Sequence, residues 1–300
     1  MNKKFKNIYE IILFKMTLGT LKLLPFKLTF KWSAKLGIFA GMILGIRKKV
    51  AYSQIKESFP EKTDQEIKKI LRRMYENIGY QSIEFFIGNR TDLLKNVTSE
   101  GFEYLREAYE KNKGVIIVSG HFGNWEMAGE FIASKGMRFG AVVKRQRNPY
   151  VNDYIENRRA GSNIHLIYKK RSFRGIVKEL KNGSGIAFLS DQAANKQGIK
   201  LNFLGREASV NIGAAKLALK FSVPIVFCYS LREPDNSLSF HCHKPIFIEN
   251  LDENQKNIKY LTQALNSEIE NIVKKYPENW FWVHKRWKNA NQGKDPELYN

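Results

Sequence analysis

Two textures of hydrophobic and polar positions run along this chain. Over residues 5–46 Ile, Leu, Phe and Met dominate, yet Lys15, Lys22, Lys27, Lys31 and Lys35 interrupt them at intervals. The longest charge-free run, Leu36–Ile46, has eleven residues, whereas a helix crossing the hydrocarbon of a bilayer needs about 20. Lys27, Lys31 and Lys35 stand four apart, which stacks them on one helical face. Phe26, Leu28 and Phe30 lie beside them, and Trp32 supplies an interfacial anchor. A basic face with aromatic and aliphatic residues elsewhere is the pattern of a helix lying in the headgroup plane. The competing arrangement is a helical hairpin packed on the protein's own core. No small-residue cleavage site follows the basic start at Lys3, Lys4 and Lys6. Arg47, Lys48 and Lys49 after the apolar run favour the cytoplasmic side. We therefore expect a membrane-anchoring helical segment over residues 1–50 and one catalytic domain over residues 51–300.

From residue 63 onward the pattern becomes regular. Thr63-Asp-Gln-Glu66 is a capping box that opens a helix to about Gly88, with Ile67, Ile70, Leu71, Met74, Ile78 and Ile83 on one side. After Gly114 short apolar runs alternate with helical stretches. Strands are expected at Val115–Ser119, Arg138–Val143, Ile164–Tyr168, Gly185–Leu189, Val223–Ser230 and Leu238–Ile248. Helices are expected at Asn124–Ser134, from Asn148-Pro149, at Phe173–Leu180, at Ser209–Phe221 with Ser209 as cap, and at Asn254–Lys275. This alternation predicts an α/β fold, a mostly parallel sheet flanked by helices on both faces.

Composition narrows the partners. Among 300 residues, 50 Lys and Arg face 29 Asp and Glu, a formal charge of +21 that favours anionic partners. With 43% apolar residues the chain can build a packed core, and disorder is excluded. Two cysteines exclude a disulfide scaffold and a four-thiolate zinc site.

The sharpest chemical feature is Ser119-Gly-His121-Phe-Gly-Asn-Trp-Glu126, which follows a strand and opens a helix. That places side chains at a strand's carboxyl end, where open α/β sheets bind ligands. With His121 in the turn and Glu126 in the first helical turn, the chain doubles back and the two can meet. A carboxylate that fixes one imidazole nitrogen leaves the other as a base, able to activate a hydroxyl. Gly120 and Gly123 leave room for a substrate to approach the backbone.

The string His121-Phe-Gly-Asn-Trp-Glu126 resembles the His-x4-Asp/Glu motif of the lysophospholipid acyltransferase superfamily, and in full form its lipid A late acyltransferase branch. Four further segments are similar in order and spacing: Asn157-Arg-Arg159-Ala-Gly161, Gly185-Ile-Ala-Phe-Leu-Ser-Asp191-Gln, Asn202-Phe-Leu-Gly205-Arg206 followed by Gly213-Ala-Ala-Lys-Leu-Ala, and Trp280-Phe-Trp-Val-His-Lys-Arg-Trp-Lys288. The resemblance covers roughly residues 100–290. It implies a glycerolphosphate-acyltransferase-like fold at the cytoplasmic face of the inner membrane. The implied reaction is acyl transfer, without a cofactor, from an acyl carrier protein thioester to a hydroxyl on an acyl chain of a lipid A precursor. His121 would be the general base and Glu126 its orienting partner. Arg159 would bind a phosphate or steady an oxyanion, and Asp191 would order Arg159 or a substrate group, or cap a turn. Some relatives carry a second acid two positions after the aspartate; here that position is Ala193. Lys144, Arg145 and Arg147, with Lys169, Lys170 and Arg171, are candidate contacts for the acidic carrier protein or lipid phosphates.

Other signals carry less. His241-Cys-His243 has alternating strand positions but no third ligand at metal-binding spacing, so no metal is expected. No phosphate loop follows Gly183-Ser-Gly185, and no Gly-x-Ser-x-Gly elbow exists. Two alternatives compete: an acyltransferase of the same superfamily acting on a lysophospholipid or other glycolipid, and a non-enzymatic basic binder of membrane or nucleic acid. Against nucleic acid stands the lack of any recognisable binding motif.

Overall fold

The computed structural model describes residues 3–159, 164–168, 172–194, 198–290 and 297–299. Its core is a seven-stranded sheet of β1 (Thr98–Glu100), β2 (Val115–Ser119), β3 (Phe139–Val143), β4 (Ile164–Tyr168), β5 (Gly185–Leu189), β8 (Ile225–Arg232) and β9 (Leu238–Cys242). The order is β1-β9-β8-β2-β5-β3-β4, and every neighbouring pair is parallel except β8–β9. Central strands buried on both faces must be apolar throughout. Val115, Ile116, Ile117 and Val118 of β2 accordingly lie within the core. The α/β architecture is therefore as the alternation of patterns implies.

Helices cover both faces: α4 (Asp64–Phe86), followed by the short α5 (Arg90–Lys95), α6 (Phe102–Glu110), α7 (Trp125–Ser134), α8 (Pro149–Arg159), α9 (Ser172–Lys181), α10 (Gly213–Phe221) and α11 (Ile258–Lys275). One apolar cluster joins α4, α10 and α11 to one sheet face, and another joins α6 and α7 to the opposite face. The Thr63–Glu66 capping box forms as its residues dictate, with Thr63 N donating to Glu66 Oε2 at 2.8 Å.

Three regions differ from the pattern reading. Residues 199–210 form a hairpin, β6 (Ile199–Phe203) and β7 (Arg206–Val210), and the helix expected from Ser209 begins at Gly213. Lys200 and Asn202 alternate with buried Leu201 and Phe203, a period of two. Leu204 and Gly205 both take positive φ, as a two-residue turn of this kind requires. The strand expected to reach Ile248 ends at Cys242, short of Pro245, which lacks the N–H a ladder needs. The terminal helix starts after Asn257, whose side chain caps it by accepting from Tyr260 N at 2.8 Å, rather than at Asn254.

The N-terminal segment forms α1 (Lys3–Lys22), α2 (Phe26–Ile38), a wide turn at Phe39–Ile43 and α3 (Lys48–Ser58). One side of it rests on the body of the protein. Asn148 donates to Asn7 O at 2.9 Å, and Phe14 meets Phe86 and Tyr154 edge-on. Helix α2 approaches α4 so closely that a Cβ on Gly79 would stand 2.1 Å from Ser33 O, and one on Gly37 would stand 2.1 Å from Tyr75 O. The other side leaves Phe5, Ile12, Met16, Leu23, Trp32 and Ile43 exposed. The expected packing on the protein's own core is therefore present on one face, and the opposite face is apolar and exposed. No helix among the described residues is long and apolar enough to cross a membrane.

The Gly79 contact is between backbones, so a side chain there cannot be accommodated by a rotamer change. Gly79→Val is expected to lower stability by about 1–3 kcal/mol in urea denaturation. It should also free α2 to limited proteolysis.

Candidate active site

The register of two adjacent strands sets the site. In the β2–β5 pair Ser119 stands opposite Leu189, and Ser190 N donates to Ser119 O at 2.8 Å. His121 and Asp191 each lie two residues beyond those partners, at the carboxyl ends of neighbouring strands about 4.8 Å apart. Their side chains meet: His121 Nδ1 is 2.7 Å from Asp191 Oδ1, and His121 N donates to Asp191 Oδ2 at 2.8 Å.

Asp191 is buried, with 2% of its side chain accessible, and a carboxylate there needs compensation. Trp280 Nε1 supplies a further hydrogen bond to Oδ2 at 2.8 Å. Burial alone would raise the Asp191 pKa. The neighbouring imidazole and the hydrogen bonds from His121 and Trp280 outweigh it and hold the pKa at about 2. The imidazole sits between Trp125, edge-on at 4.8 Å, and Phe281, stacked at 6.1 Å. Its Nε2 faces the side-chain nitrogen of Gln192 at 3.3 Å.

Glu126 does not orient His121. It binds Arg159 through two contacts, Nε to Oε2 at 3.0 Å and a terminal nitrogen to Oε1 at 2.5 Å. The expected pairings are thereby exchanged: Asp191 serves His121, and Glu126 serves Arg159. The cause is the turn at Gly123, whose φ of +49° sends the chain into α7. Asn124 caps that helix, accepting from Met127 N at 3.1 Å, and the first helical turn faces the end of α8. A Cβ on Gly123 would stand 2.6 Å from Ser230 O, so this glycine permits a close backbone approach within the protein and not one by a substrate.

Beside the Glu126–Arg159 pair lies an apolar slot of about 130 Å³ between the sheet and α7. Ile117, Ala187 and Leu166 line it from the sheet and Ile132 from the helix, while Trp125, Glu126 and Arg159 stand at its polar end. Trp125 therefore touches both the slot and the imidazole. A larger cavity of about 830 Å³, between α4 and the β8–β9 turn, includes neither His121 nor Asp191.

A buried polar network fixes the motif from behind. Asn124 Nδ2 donates to Glu84 Oε2 at 2.7 Å, and Arg232 pairs with Glu84, both nearly inaccessible. Gly123 N donates to Asn279 O at 2.9 Å, and Asn279 Oδ1 accepts from Arg232 N at 2.7 Å. The aromatic-basic tail is held by Gln54 of α3, whose side chain bonds Trp282 O and Arg286 N. Sequence reasoning missed Glu84, Arg232, Gln54 and the contact of Gln192 with His121. A charged residue inside an apolar run, as in Ile83-Glu84-Phe85, is the signal that could have marked Glu84, whereas Arg232 stands before Glu233 and Pro234 and has none. Gln54 carries no such signal.

Among other expected contacts, Lys144, Arg145 and Arg147 lie at the same end of the sheet, just beyond β3, and Arg145 stands over the Tyr168 ring at 4.5 Å. Lys169, Lys170 and Arg171 fall outside the described residues, as do Ala160 and Gly161. His241 pairs with Glu100 and Ser239, and His243 with Glu268. No group of three or more His, Cys, Asp or Glu suited to a metal ion occurs among the described residues.

Comparison with known proteins agrees with the motif. The family model for bacterial lipid A biosynthesis acyltransferase matches residues 3–289. A lipid A biosynthesis acyltransferase of Haemophilus influenzae is 22% identical over 284 residues, spanning 92% of this chain and 86% of the relative. The lipid A biosynthesis lauroyltransferase of Escherichia coli is 23% identical over 285 residues, 90% of this chain and 88% of the relative. The palmitoleoyltransferase of the same organism is 24% identical over 286 residues, 92% and 90%.

The charge on Asp191 has a pH signature. Its folded pKa of about 2 lies below the ordinary value of 3.8. It therefore contributes stability above pH 4 that is lost as pH falls through 2. The stability advantage of the wild type over Asp191→Asn is expected to shrink by roughly 2 kcal/mol across that window, measured by urea unfolding at successive pH values.

Proposed function

Because the chain belongs to the bacterial lipid A biosynthesis acyltransferase family, we propose that this acyltransferase moves a fatty acyl group from an acyl carrier protein thioester to a hydroxyl on an acyl chain of a lipid A precursor, with His121 as general base. The observation that carries the reading is the 2.7 Å contact between His121 Nδ1 and Asp191. An ionised Asp191 accepts a hydrogen bond from Nδ1–H, which fixes the tautomer and leaves the Nε2 lone pair for the substrate. Nε2 takes the acceptor's hydroxyl proton as the oxygen attacks the thioester carbonyl. The tetrahedral intermediate then expels the thiolate, which recovers the proton from Nε2. The products are an ester and a free thiol.

The slot beside Trp125 suits a fatty chain, because its lining is apolar up to the polar end at Glu126 and Arg159. In this reading the Glu126–Arg159 pair is a positioning element at the mouth of the slot. Arg159 then meets a substrate phosphate or a developing oxyanion only with Glu126 already bound to it. The net charge of +21 and the cluster Lys144, Arg145 and Arg147 suit an acidic carrier protein or lipid phosphates.

We place the protein on the cytoplasmic face of the inner membrane, attached through the exposed side of α1, α2 and the turn after them. Leu23 is 85% and Ile43 70% accessible there, and Lys35 lies 4.4 Å from the Trp32 ring. An apolar surface rimmed by lysines matches an anionic lipid interface.

Purified protein given acyl carrier protein thioester and a tetraacyl lipid A precursor should produce a penta-acyl species by mass spectrometry. His121→Ala should slow this by about 10²–10⁴-fold, and a rate close to wild type would remove the base assignment. The double variant Leu23→Glu, Ile43→Glu should lose flotation with anionic vesicles. Retained flotation would reject this attachment surface.

A further inference from the structure

Gln192 follows the aspartate that orients His121, and its side chain reaches the other side of the same imidazole. With Asp191 ionised, His121 Nδ1 must donate to it, so Nε2 of the neutral ring bears only a lone pair. The Gln192 nitrogen 3.3 Å away is then a donor to that lone pair. The hydroxyl that the base must activate needs this same position.

The backbone around His121 has little left to offer a developing negative charge. His121 N is committed to Asp191, Phe122 N to Gly120 O, Gly123 N to Asn279 O and Asn124 N to the Ser230 hydroxyl. Arg159 is engaged by Glu126 through two contacts. The Gln192 amide, by contrast, holds a donor whose partner is displaced in every turnover.

We propose that Gln192 is a catalytic residue. Its amide caps His121 Nε2 in the free enzyme and, once the acceptor hydroxyl displaces it, donates its N–H to the thioester carbonyl oxygen as that oxygen becomes negative. The inference rests on the acyl-transfer reading above. The proton balance is unchanged: Nε2 takes the hydroxyl proton and returns it to the departing thiolate. The amide only donates a hydrogen bond, to the imidazole first and to the oxyanion afterwards. The cap also keeps an idle base from activating water beside a bound thioester.

The test has one readout without substrate and one with it. In full-length protein labelled with ¹⁵N-histidine, the His121 Nε2 resonance can be assigned by its loss in His121→Ala, since the chain has only 5 histidines. Gln192→Met should move that resonance toward the position of an unbonded lone-pair nitrogen. Gln192→Met and Gln192→Glu should each lower kcat for transfer from acyl carrier protein thioester by about 10²–10³-fold, the usual effect of losing one oxyanion donor. KM should stay within about threefold. Thermal melts of both variants separate misfolding from lost chemistry. A resonance identical in wild type and Gln192→Met would overturn the cap. A kcat within about threefold of wild type in either folded variant would overturn the oxyanion role. Should wild type itself transfer no acyl group, the acyl-transfer reading fails, and the resonance still decides whether Gln192 binds His121.

Discussion

The hydrogen bond from Ser190 N to Ser119 O carries the β2–β5 ladder from the last residue of β2 to the first residue beyond β5. Because the strands are parallel and in register there, whatever follows Ser119 by two residues must face whatever follows Leu189 by two. Those residues are His121 and Asp191. Their pairing is thus a consequence of backbone register, set by β2, apolar and buried over Val115–Val118, and by β5, buried at Gly185 and Ile186, whose side chains would lose their places if either strand slipped. Trp280 closes the arrangement from the C-terminal segment, reaching the same carboxylate that the imidazole uses.

Two acid–base pairs stand at this end of the sheet and have different characters. His121–Asp191 is sheltered, with a carboxylate held ionised, against its burial, by the neighbouring imidazole and by hydrogen bonds from His121 and Trp280. Glu126–Arg159 is more open, about a fifth of each side chain being accessible, and it borders the apolar slot. In the proposed reaction the first handles the proton, and the second sets shape and charge at the mouth of the slot. Trp125 connects them, since its ring touches the imidazole on one side and the slot on the other.

Much of the fold was legible in the chain. The strands at 115–119, 164–168 and 185–189 stand where short apolar runs place them, and the Thr63 capping box starts its helix. The four residues singled out by the family motif, His121, Glu126, Arg159 and Asp191, stand in the structure as two pairs. Their pairing was not legible, because spacing along a helix or turn is local information. The adjacency of β2 and β5, separated by about 70 residues, belongs to sheet order, which no local pattern encodes. The β6–β7 hairpin escaped notice because its polar face, Lys200 and Asn202, reads as loop unless Leu201 and Phe203 are counted as an alternating pair. Glu84 and Arg232 were hidden for a similar reason. Each balances a charge on a distant element, and neither is explicable until its partner is in place.

The central claim is that His121 works through Asp191 and not through Glu126, and a double-mutant cycle on the acyl-transfer rate tests it most directly. If the account holds, Asp191→Ala adds little to the defect of His121→Ala, because an imidazole and the carboxylate that aims it act as one unit. Glu126→Ala should instead multiply the His121→Ala defect. Independent, multiplying losses for His121 and Asp191, with Glu126 the residue whose loss adds nothing further, would contradict it.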